Sequence, residues 1–179
     1  MTGTTDDPPH VTLRPASLAD APTLARLYRD AYATNVDLGF PSRAARADRG
    51  ALEAWIRESR VFVAVTAGGD SGGRADDRPA AGKLVGAIRY RDEGKYDPDI
   101  PEFGRLAVPP RARGQGIGNE LIEHVETLAR REDHDRMRLR TFAGHPFLPE
   151  LYRRRGYRDV RVRKLEGAPF DVLHMQKEL

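Results

Sequence analysis

Residues 102–125 read EFGRLAVPPRARGQGIGNELIEHV. An apolar run of strand length leads into two prolines, two arginines and three glycines at alternate positions, and then into an amphipathic pattern. A simple turn needs one glycine. Glycines at 114, 116 and 118 leave a backbone without Cβ atoms, which an anion can approach to hydrogen-bonding distance. A helix starting there offers unpaired N–H groups and the positive end of its dipole, roughly half a charge. Arg111 and Arg113 add full charges beside it.

Two phosphate-binding motifs fail on this stretch. A nucleoside-triphosphate loop needs GxxxxGK followed by Ser or Thr, and no such lysine follows a glycine here. A dinucleotide fingerprint needs GxGxxG, but Asn119 stands where its third glycine belongs and Gly118 comes one residue early.

Outward from the glycines, the periodicity is legible. Downstream, Ile117, Leu121, Ile122, Val125, Leu128 and Ala129 form one helical stripe, with Glu120, Glu123 and Glu126 expected to face out. RMRLRTFA (136–143) alternates as a strand, and PELYRRRGY (149–157) reads as a short helix with proline in its first turn and Gly156 as its stop. DVRVRKL and PFDVLHMQKEL supply a terminal hairpin. Upstream, VTLRPAS (11–17) is a strand, Ser17 and Asp20 suit a capping box before a first helix, and Leu52, Trp55 and Ile56 mark a second helix capped near Asp48. RVFVAVTA (60–67) and KLVGAIRYR (83–91) are strands, the first expected to be covered on both faces. Gly104 suggests a bulge in the strand before the motif. The order is β-α-α-β-β-β-α-β-α-β-β.

The 179 residues fit one domain, residues 11–179, behind a loose tail at 1–10 and with a flexible polar loop at 68–82. Zero cysteines exclude disulfides and thiolate chemistry, and the five histidines have no metal-ligand spacing, so no metal is expected. Neither a signal peptide nor an apolar run of membrane length is visible, which makes a cytoplasmic protein with no membrane partner the expectation. The net charge is +3, but residues 1–102 carry −2 and residues 103–179 carry +5. The positive half begins at the glycine stretch, which favours an anionic partner there.

Arg113, Gly116 and Gly118 resemble the acyl-CoA-binding motif of the GCN5-related N-acetyltransferases (GNAT): Gln or Arg, two residues, Gly, one residue, then Gly or Ala. The strand before and the amphipathic helix after supply the context that motif requires. The resemblance covers about residues 11–178. It implies an α/β (α+β) fold with a mixed seven-stranded sheet flanked by about four helices. It also implies that residues 113–118 (Arg113, Gly114, Gln115, Gly116, Ile117, Gly118) hold the pyrophosphate, and that the backbone of Leu106, Ala107 and Val108 pairs with the pantetheine arm. LYRRRGY looks like the family's LYxxxGF, which puts Tyr152 at the general-acid position. Family members often carry Asn seven positions earlier; this chain has His145, either a CoA contact or a surface loop residue.

The implied reaction is transfer of an acetyl group from acetyl-CoA to a primary amine, read as a small-molecule amine, by a direct ternary-complex mechanism. An alkylamine of pKa about 10.4 is costly to deprotonate at pH 7, by roughly 4.6 kcal/mol, so a base or a relayed water is required. The acidic run RDEGKYDPDIPE offers Asp92, Glu93, Asp97, Asp99 and Glu102; Glu102 is the candidate base, and together they would draw a cationic amine into the cleft. Tyr152 is a weak acid toward a departing thiolate unless nearby arginines lower its pKa or the transfer is concerted. Tyr32, Phe40 and Trp55 either line the acceptor pocket or belong to the core. Other readings stay open: a protein N-terminal or lysine acetyltransferase, an acyl-CoA binder without activity, and a nucleic-acid-binding module, which the arginines alternating along strands and the small net charge disfavour. Homodimerisation is likewise open.

Overall fold

A computed structural model describes residues 11–66 and 82–179. The expected N-terminal tail and, apart from Gly82, the loop at 68–82 lie outside the described residues. The elements are β1 (Val11–Pro15), α1 (Ala21–Asp37), α2 (Arg49–Glu58), β2 (Arg60–Thr66), β3 (Leu84–Arg91), β4 (Glu102–Ala107), α3 (Ile117–Arg131), β5 (Arg136–Phe142), α4 (Leu148–Arg154), β6 (Arg158–Arg163) and β7 (Val172–Glu178). The order is the one read from the sequence.

Local chemistry starts and stops the helices. Asp20 folds back to accept the Ser17 N–H at 2.7 Å and holds Arg14 at 2.8 Å, closing the turn before α1. Asp48 caps α2 by accepting from the Ala51 N–H at 2.9 Å. Pro149 occupies the first turn of α4, and Gly156, at φ 91°, ends the segment.

The seven strands form one sheet in the order β1-β2-β3-β4-β5-β7-β6. Every neighbouring pair is antiparallel except β4–β5. One face of the sheet packs under α3 and α4, with Phe62, Ile88, Phe103, Leu121, Val125 and Met137 in the core. The other packs under α1 and α2, with Leu24, Tyr28, Leu52, Val61, Val63 and Ala87. Strands β2 and β3 are therefore covered on both sides, which is why they read as unbroken apolar runs. Helix α3 lies so close to β3 that a Cβ at Gly86 would come within 2.8 Å of Ile117 and 2.9 Å of Leu121.

One expectation is corrected. Glu126 does not face solvent: it is 3% exposed and bonds the Tyr157 hydroxyl at 2.9 Å and Lys177 Nζ at 2.8 Å. A step of three residues falls about 60° short of a full helical turn, so Glu126 is rotated well away from Glu120 and onto the flank of the apolar stripe.

The sheet opens at its centre. β4 and β5 pair only at Glu102 with Arg138 and Phe103 with Leu139. β5 continues straight, paired with β7 along its whole length, whereas β4 keeps pace with β3 through a bulge. Arg89 lies opposite Gly104 and Ala87 opposite Ala107, so Arg105 and Leu106 together face one residue of β3. The bulge thus falls just after Gly104. Its strained residue is Arg105, at φ 55°.

Candidate active site

The gap between β4 and β5 is a cleft of about 730 Å³. Its lining includes Leu106, Ala107 and Val108 along β4, then Arg113, Gly114, Gly116, Ile117 and Gly118, with Tyr152 facing them from α4. The structure thus gathers into one cavity most of the residues singled out in the sequence. Gln115 and His145 are not among the lining residues.

The glycine turn shapes one end. Gly114 and Gly116 have φ of 78° and 81°, which side-chain-bearing residues rarely adopt, and a Cβ on either would meet no protein atom within 4 Å. The space above them is open. The first intrahelical bonds of α3 run from Asn119 and Glu120 to the Gly116 carbonyl, at 2.8 and 3.1 Å. The N–H groups of Ile117 and Gly118 precede those bonds and are free for an outside acceptor. An anion fits this end: bare N–H groups, no Cβ, and the dipole of a fifteen-residue helix. Asn119 also accepts from Arg155 at 3.0 Å, which brings a further cation to the same turn.

Arg113 is a strut as well as a charge. Its guanidinium donates to the carbonyls of Ala31 at 2.8 Å and Val108 at 3.1 Å, tying the glycine loop to α1. Arg111 is spent on Asp30 at 3.2 Å. Tyrosines of α1 secure the bulge next to it: Tyr28 donates to the Arg105 carbonyl at 2.9 Å and Tyr32 to the Leu106 carbonyl at 3.1 Å.

Tyr152 is 7% exposed, with its ring edge toward Phe103 at 6.0 Å. Burial pushes its pKa up, Tyr32 adds to that, and Arg155 opposes both without prevailing. Assistance by a lowered pKa is therefore not what the surroundings supply. His145 is buried beneath α4, where Nδ1 accepts from the Leu148 N–H at 3.3 Å and Nε2 faces Asn35 Oδ1 at 3.3 Å. Through Nδ1 it satisfies the N–H groups at the start of α4, and through Nε2 it ties that turn to α1, with its pKa lowered by burial. Phe40 is not among the lining residues but stacks at 5.2 Å on Phe142, which is, whereas Tyr32 lines the cleft itself.

Electrostatics correct a further expectation. The acidic run does not present free carboxylates to the cleft. Asp97 pairs with Arg138 at 2.9 Å, Asp92 pairs with Arg60, and Glu102 is the one carboxylate among the lining residues. Glu102 is itself forked onto Arg140, at 2.7 Å from Nη2 and 3.0–3.1 Å from Nε. Five arginines line the cavity: Arg89, Arg91, Arg105, Arg113 and Arg140. The sequence does not single out the first three: Arg89 and Arg91 alternate along β3 like a solvated face, and Arg105 stands alone in β4.

A strand that leaves its parallel neighbour, runs into a glycine turn and ends on a helix N-terminus defines an acyl-CoA-type transferase architecture. The sequence profile described as "Acetyltransferase (GNAT) family" matches residues 27–157, and the chain belongs to that family. The chain is 29% identical over 168 residues to an S-(2-succino)cysteine N-acetyltransferase of Bacillus subtilis, covering 89% of this chain and 91% of the relative. It is 32% identical over 99 residues to an S-alkylcysteine N-acetyltransferase of the same organism, spanning 52% of this chain and about half (56%) of that relative. Among solved structures, PaiA N-acetyltransferase of Thermoplasma acidophilum in complex with coenzyme A superposes with a TM-score of 0.69 at 17% identity, over 95% of this chain and 99% of that one. The mixed seven-stranded sheet with its four helices is thus the fold of this family, and the protein is an acetyltransferase by family.

Among the described residues, no helix is long and apolar enough to cross a membrane, and no three His, Asp or Glu side chains group as a metal site.

Proposed function

We propose that the protein transfers the acetyl group of acetyl-CoA to the primary amine of a small molecule in a direct ternary complex. The observation that carries this is the split between β4 and β5, which leads from Glu102 past Tyr152 to the bare N–H groups of residues 114–118. The names of the relatives, both acting on cysteine derivatives, support a small acceptor.

In this reading the N–H groups at the start of α3 hold the pyrophosphate and Arg113 keeps their loop in place. The open edge of β4 from Leu106 to Val108 pairs with the pantetheine arm, and an N–H near Val108 polarises the thioester carbonyl. The amine nitrogen attacks that carbonyl, its proton leaving through a water toward Glu102. A direct proton transfer suits Glu102 poorly, because both of its oxygens are engaged by Arg140. Tyr152 donates its hydroxyl proton to the sulfur as the C–S bond breaks. With its pKa raised, that donation is concerted with bond breaking rather than a prior ionisation.

Thiol release with a panel of amines tests the assignment. Tyr152→Phe should lower kcat about 10²-fold while acetyl-CoA affinity changes little. In the wild-type enzyme, the Tyr152 acid form should persist above the ordinary tyrosine range, so kcat should not fall from its loss between pH 8 and pH 10. Unchanged turnover in the variant would return Tyr152 to a packing role.

A further inference from the structure

The acceptor end of the cleft carries more positive charge than its own carboxylates balance. Arg89, Arg91 and Arg105 all line it, and the sheet geometry puts them on one face. Arg91 is opposite Glu102 in register and Arg89 is opposite Gly104, so all four positions point the same way. Arg105 would normally point to the other face. The bulge at φ 55° turns it onto this one, where its guanidinium lies 5.0 Å from the Trp55 ring and 3.2 Å from Ser42 Oγ. Arg89 flanks the same indole at 5.5 Å and donates to Ser59 Oγ at 2.6 Å.

Counter-charges are scarce. Arg89 is 7% exposed, and the nearest carboxylate, the exposed Glu58, stands 3.7 Å away. Arg105 finds a hydroxyl and an aromatic face, and Arg91 has no ion pair among the described residues. Burial and the two neighbouring arginines pull the Arg89 pKa down to about 10, a sign of cations confined together. Gly104 completes the arrangement by omission. A Cβ there would meet nothing within 4 Å, so the floor opposite Arg89 is vacant space. A buried charged side chain, two more cations and an open volume beside them form a built receptor for an anion.

We propose that Arg91, Arg105 and Arg89 bind a carboxylate of the acceptor, so that the substrate class is amino acids and their derivatives rather than simple alkylamines or polyamines. This rests on the acetyl-transfer reading above. Two consequences follow from the chemistry. A carboxylate held at the arginines fixes the amine on a short tether, which points it at the β4–β5 gap. The same cations disfavour an ammonium beside them, so the amine loses its proton more readily.

The test compares three free amino acids, S-methylcysteine, methionine and phenylalanine, each with its own carboxamide. Thiol release gives kcat/KM for each, and thermal shift in saturating CoA gives binding. At least one acid should exceed its amide by about tenfold to a hundredfold, the usual worth of a charge-assisted hydrogen bond. Arg91→Ala and Arg105→Asn (asparagine tolerates the positive φ) should each collapse that ratio toward one, and Arg91→Lys should restore part of it. Amides turned over as fast as acids, or variants that slow both alike, overturn the carboxylate site and leave acetyl transfer standing. Stabilisation by the acids, lost in Arg91→Ala, with no amine acetylated, would keep the site and overturn the transfer reading. No stabilisation and no acid preference sinks the proposal outright.

Discussion

Replacing Gly116 by glutamate separates the cradle's chemistry from its architecture. Gly116 is the residue before the first turn of α3 and has φ 81°. An L-residue there costs about 1–2 kcal/mol in backbone conformation. Nothing within 4 Å obstructs its Cβ, so no clash adds to that cost. For a domain of this size, 1 kcal/mol moves Tm by about 2–4 °C, so Gly116→Glu and Gly116→Ala should both melt some 2–8 °C lower. The ligand effect differs sharply. Acetyl-CoA at 100 times its Kd stabilises the wild type by about 2.7 kcal/mol, roughly 5–11 °C. The glutamate side chain projects into the open space over the Ile117 and Gly118 N–H groups, where it both fills the cradle and repels a phosphate. Its acetyl-CoA shift should vanish. The alanine variant should retain a reduced shift, since one methyl takes up part of the approach but adds no charge. The assay is a thermal melt of all three proteins with and without acetyl-CoA. A full shift in Gly116→Glu would refute the reasoning, because an anion would then be held without the N–H groups this residue exposes.

Two further outcomes concern stability. Glu126→Ala leaves Lys177 and Tyr157 without their buried acceptor, and loss of one member of such a network costs about 3–5 kcal/mol. The side chains of Lys177 and Arg155 each retain one-fifth of their exposure and can reach water, so the lower end applies, a fall in Tm of about 6–12 °C. A fall within 2 °C would show the network to be decorative. His174 is buried, and burial together with Arg161, Arg140, Arg163 and Arg138 holds its pKa at about 4 against an ordinary 6.5. Below pH 6.5 the unfolded chain takes the proton first, so this contribution is complete above pH 6.5 and erodes as pH falls toward 4. Melts across that window should show a weaker pH slope in His174→Gln; an identical slope would remove His174 as its source.

The residues that were readable in the sequence share a cause: their structure depends on near neighbours. The α3 stripe, the proline and glycine that bound α4, the cap at Asp48 and the glycine turn before α3 are all set by periodicity or backbone conformation within a few positions. The cleft's polarity was not readable, because it depends on which strands pair and where they slip. RLAV shows no sign that Arg105 takes a positive φ; the bulge exists only in register against β3. Arg89 and Arg91 alternate like an outer strand face, and only the packing of α1 and α2 over that face turns it into a roofed cavity. His145 shows the same limit in part: the N–H groups it accepts from are two and three residues away, but its other partner, Asn35, belongs to α1.

The bulge in β4 links the two ends of the cleft. Before it, Glu102 and Phe103 are locked between β3 and β5, and this fixes the carboxylate against Arg140. After it, Leu106 to Val108 lie along the gap, their entry secured by Tyr28 and Tyr32 from α1. A regular strand would keep β4 in step with both neighbours, send Arg105 to the opposite face and close the gap in which we propose the pantetheine arm lies. One strained residue therefore serves three ends: it splits the sheet, brings a cation to the proposed acceptor side, and leaves the edge of β4 open. Strain kept at such a point is expected where the geometry serves binding rather than stability. Because α1 holds the bulge through two tyrosine hydroxyls, the helix that lines the proposed acceptor pocket also fixes the open edge of β4.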